Sequence, residues 1–141
     1  MNLAVRVSPQ VWIMRLDAVD SHLVADGRAV VTTFSGVVVE VLKAEPGVGP
    51  TVGSRRSLRD DYGTLVLNGV TVHVRHRMPF AVGQDMLVFA KDAAAPDVTS
   101  VNAIGAPYAV TAGGLRGVPD RSMNFSGLTL DDVRRTVARA R

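Results

Sequence analysis

The chain contains no cysteine. Disulfides and cysteine metal sites are therefore excluded. Aromatic residues are scarce: one tryptophan, two tyrosines and four phenylalanines in 141 residues. Lysine is nearly absent too, with Lys43 and Lys91 set against fourteen arginines. No apolar run approaches the roughly eighteen residues that a membrane-spanning helix requires. The opening MNLAVRVSP lacks the basic start and the continuous apolar region of a signal peptide. No nucleophile elbow, phosphate loop or metalloprotease motif occurs. There is no internal repeat and no long low-complexity tract.

What is present suits one domain, residues 1–141, long enough to bury about two-thirds of the surface of its unfolded chain. The net charge of +3 is mild and implies no nucleic-acid partner. The arginine excess reads as codon bias in a GC-rich genome before it reads as phosphate recognition.

The organising stretch is AVVTTFSGVVVEVLK, Ala29 to Lys43. Its Val and Thr residues favour strand, because β-branched side chains pack well on a pleated surface. Val37, Val39 and Val41 alternate with Val38, Glu40 and Leu42. Gly36, in mid-strand, marks a bulge or a sharp bend. Two shorter strands broken at Ser35-Gly36 are the other reading. Before this stretch, Val11–Val19 alternates, with Trp12, Met14, Leu16 and Ala18 on the expected core face. Leu3–Val7 reads as a short extra strand ended by Ser8-Pro9. Asp20–Arg28 is expected as a polar connection turning at Asp26-Gly27, which makes the two flanking strands an antiparallel pair.

Ala44–Gly53, rich in Pro and Gly, is a loop. Ser54–Gly63 is either a weak strand or an exposed loop. Asn68-Gly69, between Thr64–Leu67 and Val70–Arg75, is a hairpin signal. Val70, Val72 and Val74 are expected to face the core. Met86–Lys91 is a compact apolar strand. Ala112-Gly113-Gly114 forms a second tight turn, between Tyr108–Thr111 and Leu115–Val118. One helix is expected, at about 129–139, after a Thr129/Asp132 capping box. Leu130, Val133 and Val137 form its docking stripe.

Four pieces of the chain resemble a group of small exported bacterial proteins with OB-like barrels and no characterised function. They are Val41-Leu42-Lys43 at the end of a long strand, Pro79–Phe89 (PFAVGQDMLVF), Tyr108–Gly117 (YAVTAGGLRG) and the terminal helix. The likeness covers roughly Val11 to Arg139. Lys43 is followed by Ala44 where the group has Gly, and the group's Pro-Gly-Gly has no counterpart near Arg55–Gly63. In layout the group is similar to the barrels of netrin-like and metalloproteinase-inhibitor domains. Those inhibitors act through an N-terminal cysteine, which this chain lacks, so no functional residue transfers. The resemblance implies an OB-like antiparallel β-barrel of about six or seven strands with one C-terminal helix. It also implies a periplasmic or secreted location, in which case the leader has been removed. A cytoplasmic location is the other reading.

Candidate chemistry is sparse. His73 and His76, three residues apart on a strand, fall on opposite faces and cannot share an ion. Asp60-Asp61 and Asp131-Asp132 are explained by solvation and capping. No catalytic residue, metal site or cofactor is expected. The candidate binding face is Arg55, Arg56, Arg59, Tyr62, His73, Arg75 and Arg77. Barrels of this kind combine basic grooves with stacking aromatics, and here only Tyr62 lies near the arginines. The favoured expectation is a non-catalytic envelope module that binds another envelope protein or a polymer. A binder of single-stranded nucleic acid or oligosaccharide, and a hydrolase whose triad assembles only in three dimensions, are the alternatives.

Overall fold

The computed structural model describes residues 2–24, 29–47, 49–60, 63–74, 80–90, 99–100, 107–117, 125 and 127–140. The protein is mainly β, with a C-terminal helix. Strands β1 (Gln10–Val24) and β2 (Ala29–Lys43) are each 15 residues long and pair antiparallel from Val11 opposite Lys43 to Val24 opposite Ala29. The connection expected from Asp20 therefore begins later, because β1 runs on to Val24. The Asp26-Gly27 turn lies outside the described residues. β3 (Arg55–Asp60) resolves the ambiguity at Ser54–Gly63 in favour of a strand. β4 (Gly63–Leu67) and β5 (Val70–Val74) form a separate two-stranded hairpin. Asn68 and Gly69 turn it with φ of 50° and 77°. Two positive φ values give the turn whose twist matches the strands. Val70, at its tip, is 62% exposed and not on the core face as expected.

β6 (Asp85–Ala90), β7 (Thr99–Ser100), β8 (Tyr108–Thr111) and β9 (Gly114–Arg116) complete the large sheet, whose order is β7-β3-β2-β1-β6-β8-β9. Among the described residues only the β3–β7 pair is parallel. Among the described residues β7 and β9 are not joined, so the sheet is open. The outer edge of β9 is covered: Leu115 N donates to Leu128 O (2.7 Å) and Gly127 N donates to Leu115 O (2.9 Å).

Helix α1 (Asn2–Val7) replaces the strand expected at Leu3–Val7, and the C-terminal helix is thus not alone. Its Ala4 and Val5 are fully buried, and Lys43 Nζ donates to Val5 O at 2.7 Å, occupying a carbonyl of its last turn. Burial of this kind overrides the weak strand preference of two valines. Helix α2 (Leu130–Arg139) carries the capping box: Asp132 N donates to Thr129 Oγ1 and Thr129 N donates to Asp132 Oδ2. Val133 and Val137 are its buried residues.

Two cores result, one on each face of the sheet. The first joins Trp12, Met14 and Leu16 to Phe34, Leu58 and Phe80. The second joins Val11 and Ile13 to α1, α2 and the Tyr108–Phe125 stack. Each buried side chain of this size contributes about 1.5–3 kcal/mol. β1 is thus buried on both faces along its first half, whereas alternation alone assigned it one apolar face. Three bulges set which residue faces which core. Val39 and Leu42 are skipped in β2, and Asp17 is skipped in β1. Each extra residue reverses the phase of the alternation beyond it. After Asp17 the inner face therefore passes to Val19, and Ala18, expected in the core, is exposed. After Val39, Val41 turns to the first core and Leu42 to the second.

Candidate functional site

β3 carries three of the residues singled out from sequence. Arg55 pairs with Val37, Arg56 with Gly36 and Arg59 with Thr33. Arg55 and Arg59 share the outer face with Ser57, and Arg56 shares the inner face with the buried Leu58. The three arginines therefore do not form one row. His73 pairs with Thr64 in the separate hairpin. The His73 side chain, and Tyr62, Arg75 and Arg77 entirely, lie outside the described residues.

Beyond Ile13 the outer face exposes Arg15, Asp17, Arg55 and Arg59, while Val31, opposite His22, is buried. Arg15 sits opposite Val37 on β2, as Arg55 does, and opposite Asp85 on β6. One row across four strands therefore reads Asp85, Arg15, Val37, Arg55. Arg15 binds Asp85 with both arms, Nε to Oδ1 at 2.9 Å and Nη2 to Oδ2 at 3.1 Å. Arg55 binds Asp17 the same way, at 2.6 and 2.8 Å. Asp17 is the bulged residue of β1, and the bulge turns its carboxylate toward β3. Hydrogen bonding from Arg55 holds the Asp17 carboxyl below its ordinary range, and Asp17 raises Arg55 in return. Such forked pairs are neutral as units. Arg59 is exposed and has no carboxylate partner among the described residues. Among the described residues of this face it is the cation without a carboxylate partner.

Sequence reasoning missed Asp17 and Arg15. No local signal could have found the Asp17–Arg55 pair, whose members are 38 residues apart. A second feature adjoins this face: an open depression of about 700 Å³ lined by Arg15, Ala81–Asp85 and Val110. Its charges are already matched to each other, and Gln84 Oε1 accepts from Ala81 N at 3.2 Å.

Reactive groupings are few among the described residues. His22 lies beside Asp20, with Nδ1 and Oδ2 3.6 Å apart. Ser21 bonds Thr32, at 2.7 Å between hydroxyls, and no histidine. Among the described residues no set of three or more acidic or histidine side chains is placed to hold a metal ion. The six aromatics among the described residues are all buried, so none offers a face for stacking. No described helix is long and apolar enough to cross a membrane. Compared with protein-family models, with curated proteins and with solved structures, the chain matches none.

Proposed function

We propose that this chain is a non-catalytic binding module of the bacterial cell envelope, periplasmic or secreted, built as an OB-like barrel. Its partner is an anionic polymer or an acidic segment of another envelope protein. The observation that carries this reading is the outer face of β3, where Arg59 stands exposed beside the neutral Arg55–Asp17 pair. A guanidinium with no carboxylate partner among the described residues offers a fork to carboxylate, sulfate or phosphate oxygens. The β3–β7 pair adds a strand beyond β3, as a closing barrel would require. The resemblance to exported OB-like proteins supports the location.

The test is a fluorescence titration of the purified chain with a labelled anionic polysaccharide across a salt series. Binding at low salt that falls as salt rises is expected. Arg59→Glu should weaken it by about tenfold, since it replaces an attraction with a repulsion worth about 1.4 kcal/mol together. No binding at low salt, or unchanged binding by the variant, overturns the reading. The same titration with a single-stranded oligonucleotide addresses the nucleic-acid alternative. The buried aromatics predict the weaker response there.

A further inference from the structure

We propose that the protein self-associates through the free edge of β1, two copies pairing antiparallel about a two-fold axis at Ser21. Among the described residues β1 is strand-paired on both sides only along its first part, and β4 touches it without pairing. β6 follows it from Gln10 to Arg15, and the turn before β6 extends this to Leu16, with Leu16 N donating to Gln84 O (2.9 Å) and Gly83 N to Leu16 O (2.7 Å). From Ala18 to Val24 only β2 is paired with it among the described residues. Unpaired strand edges are templates for another chain, and proteins usually blunt them with proline or lysine. Residues 18–24, AVDSHLV, contain neither.

The occupant is identified by the sequence of the edge itself. Val19-Asp20-Ser21-His22-Leu23 runs apolar, acid, hydroxyl, base, apolar, and so is complementary to its own reverse. Antiparallel pairing centred on Ser21 sets Asp20 against His22 of the second copy, and Val19 against Leu23. The faces agree. Val19, Ser21 and Leu23 pair with Phe34, Thr32 and Val30 of β2, three buried residues, and so share the inner face. Asp20 and His22 pair with Thr33 and Val31 and share the outer one. A two-fold axis normal to the sheet keeps each face on its own side, so the centre must fall on a residue. Centring on Asp20 opposes two carboxylates. Centring on His22 opposes two imidazoles and leaves Asp20 against Val24. Only Ser21 joins acid to base on one face and apolar to apolar on the other. The chosen register also covers Leu23, which is 41% exposed in the single chain. Within each copy His22 Nδ1 already lies 3.6 Å from Asp20 Oδ2, so the outer face would hold two acids and two bases in alternation.

Sedimentation of the full chain against concentration tests this. The expected result is a reversible change from 15.0 kDa to twice that mass. His22→Asp places like charges opposite each other twice and should weaken the dimer about tenfold. The swap Asp20→His with His22→Asp rebuilds the complement and should restore it to within about threefold. Because the chain has no cysteine, register can be read by single-cysteine oxidation. Ser21→Cys should give a disulfide dimer, since the central Cα pair would lie about 4.5–5.5 Å apart. Leu23→Cys should not, its two copies lying about 14 Å apart. A monomer at every concentration overturns the proposal. So does a dimer indifferent to His22→Asp, a swap that fails to restore it, or a Leu23→Cys chain that crosslinks as readily as Ser21→Cys.

Discussion

Asp132 shows how much a single side chain can hold. It accepts from the backbone and hydroxyl of Thr129 and from Arg135, and these bonds lower its carboxyl to about 2. A carboxyl depressed by folding stabilises above its unfolded value, near 3.8, and loses that contribution as pH falls toward 2. Wild-type stability should therefore drop between about pH 4 and pH 2 more steeply than that of Asp132→Asn, as read by chemical denaturation at each pH. Parallel profiles would remove Asp132 from the acid response. Thr129 and Asp132 are legible as a pair from sequence because their partners are three residues away, on one turn of helix. Arg55 and Arg59 look alike in sequence and differ in the structure. The difference comes from Asp17, which a bulge in another strand delivers to Arg55 alone.

At the scale of elements, the strands were legible and their phases were not. β2, β6, β8 and α2 lie within a residue or two of where alternation and turn chemistry place them. Ala18 and Val41 ended on unexpected faces because bulges depend on the partner strand, which no single strand's pattern contains. α1 was misread for a related reason: six residues are too few to show a period, and Ala4 and Val5 are fixed by the second core. Gly36 was legible as special, and the structure gives the reason. A Cβ there would strike the backbone carbonyl of Arg15, so β1 and β2 approach too closely for any side chain at this point, beside the Asp17 bulge. Gly36→Ala should cost about 2–4 kcal/mol in denaturant unfolding. Gly113→Ala is the comparison, because a Cβ there meets nothing nearer than Thr111 Oγ1 at 3.9 Å. Equal costs for the two would contradict the close crossing.

Taken whole, the molecule has a dry end and a wet end. Along the first half of β1 both faces of the sheet are buried, one on the inner core and one under α1 and α2. Beyond Ile13 the outer face exposes Arg15, Asp17, Arg55 and Arg59, and beyond Leu16 only β2 is paired with β1 among the described residues. Sequence could not draw this division, because the cover is supplied by helices at the two ends of the chain. The binding role we propose falls at the wet end, where charge is presented on the sheet and where forming a contact uncovers no core. Backbone amide chemical shifts of the labelled protein, followed as an anionic polysaccharide is added, test this most directly. The account predicts shifts concentrated at Asp17–His22 and Arg55–Arg59, with α1 and α2 unchanged. Shifts centred on the helices, or none at low salt, would contradict it.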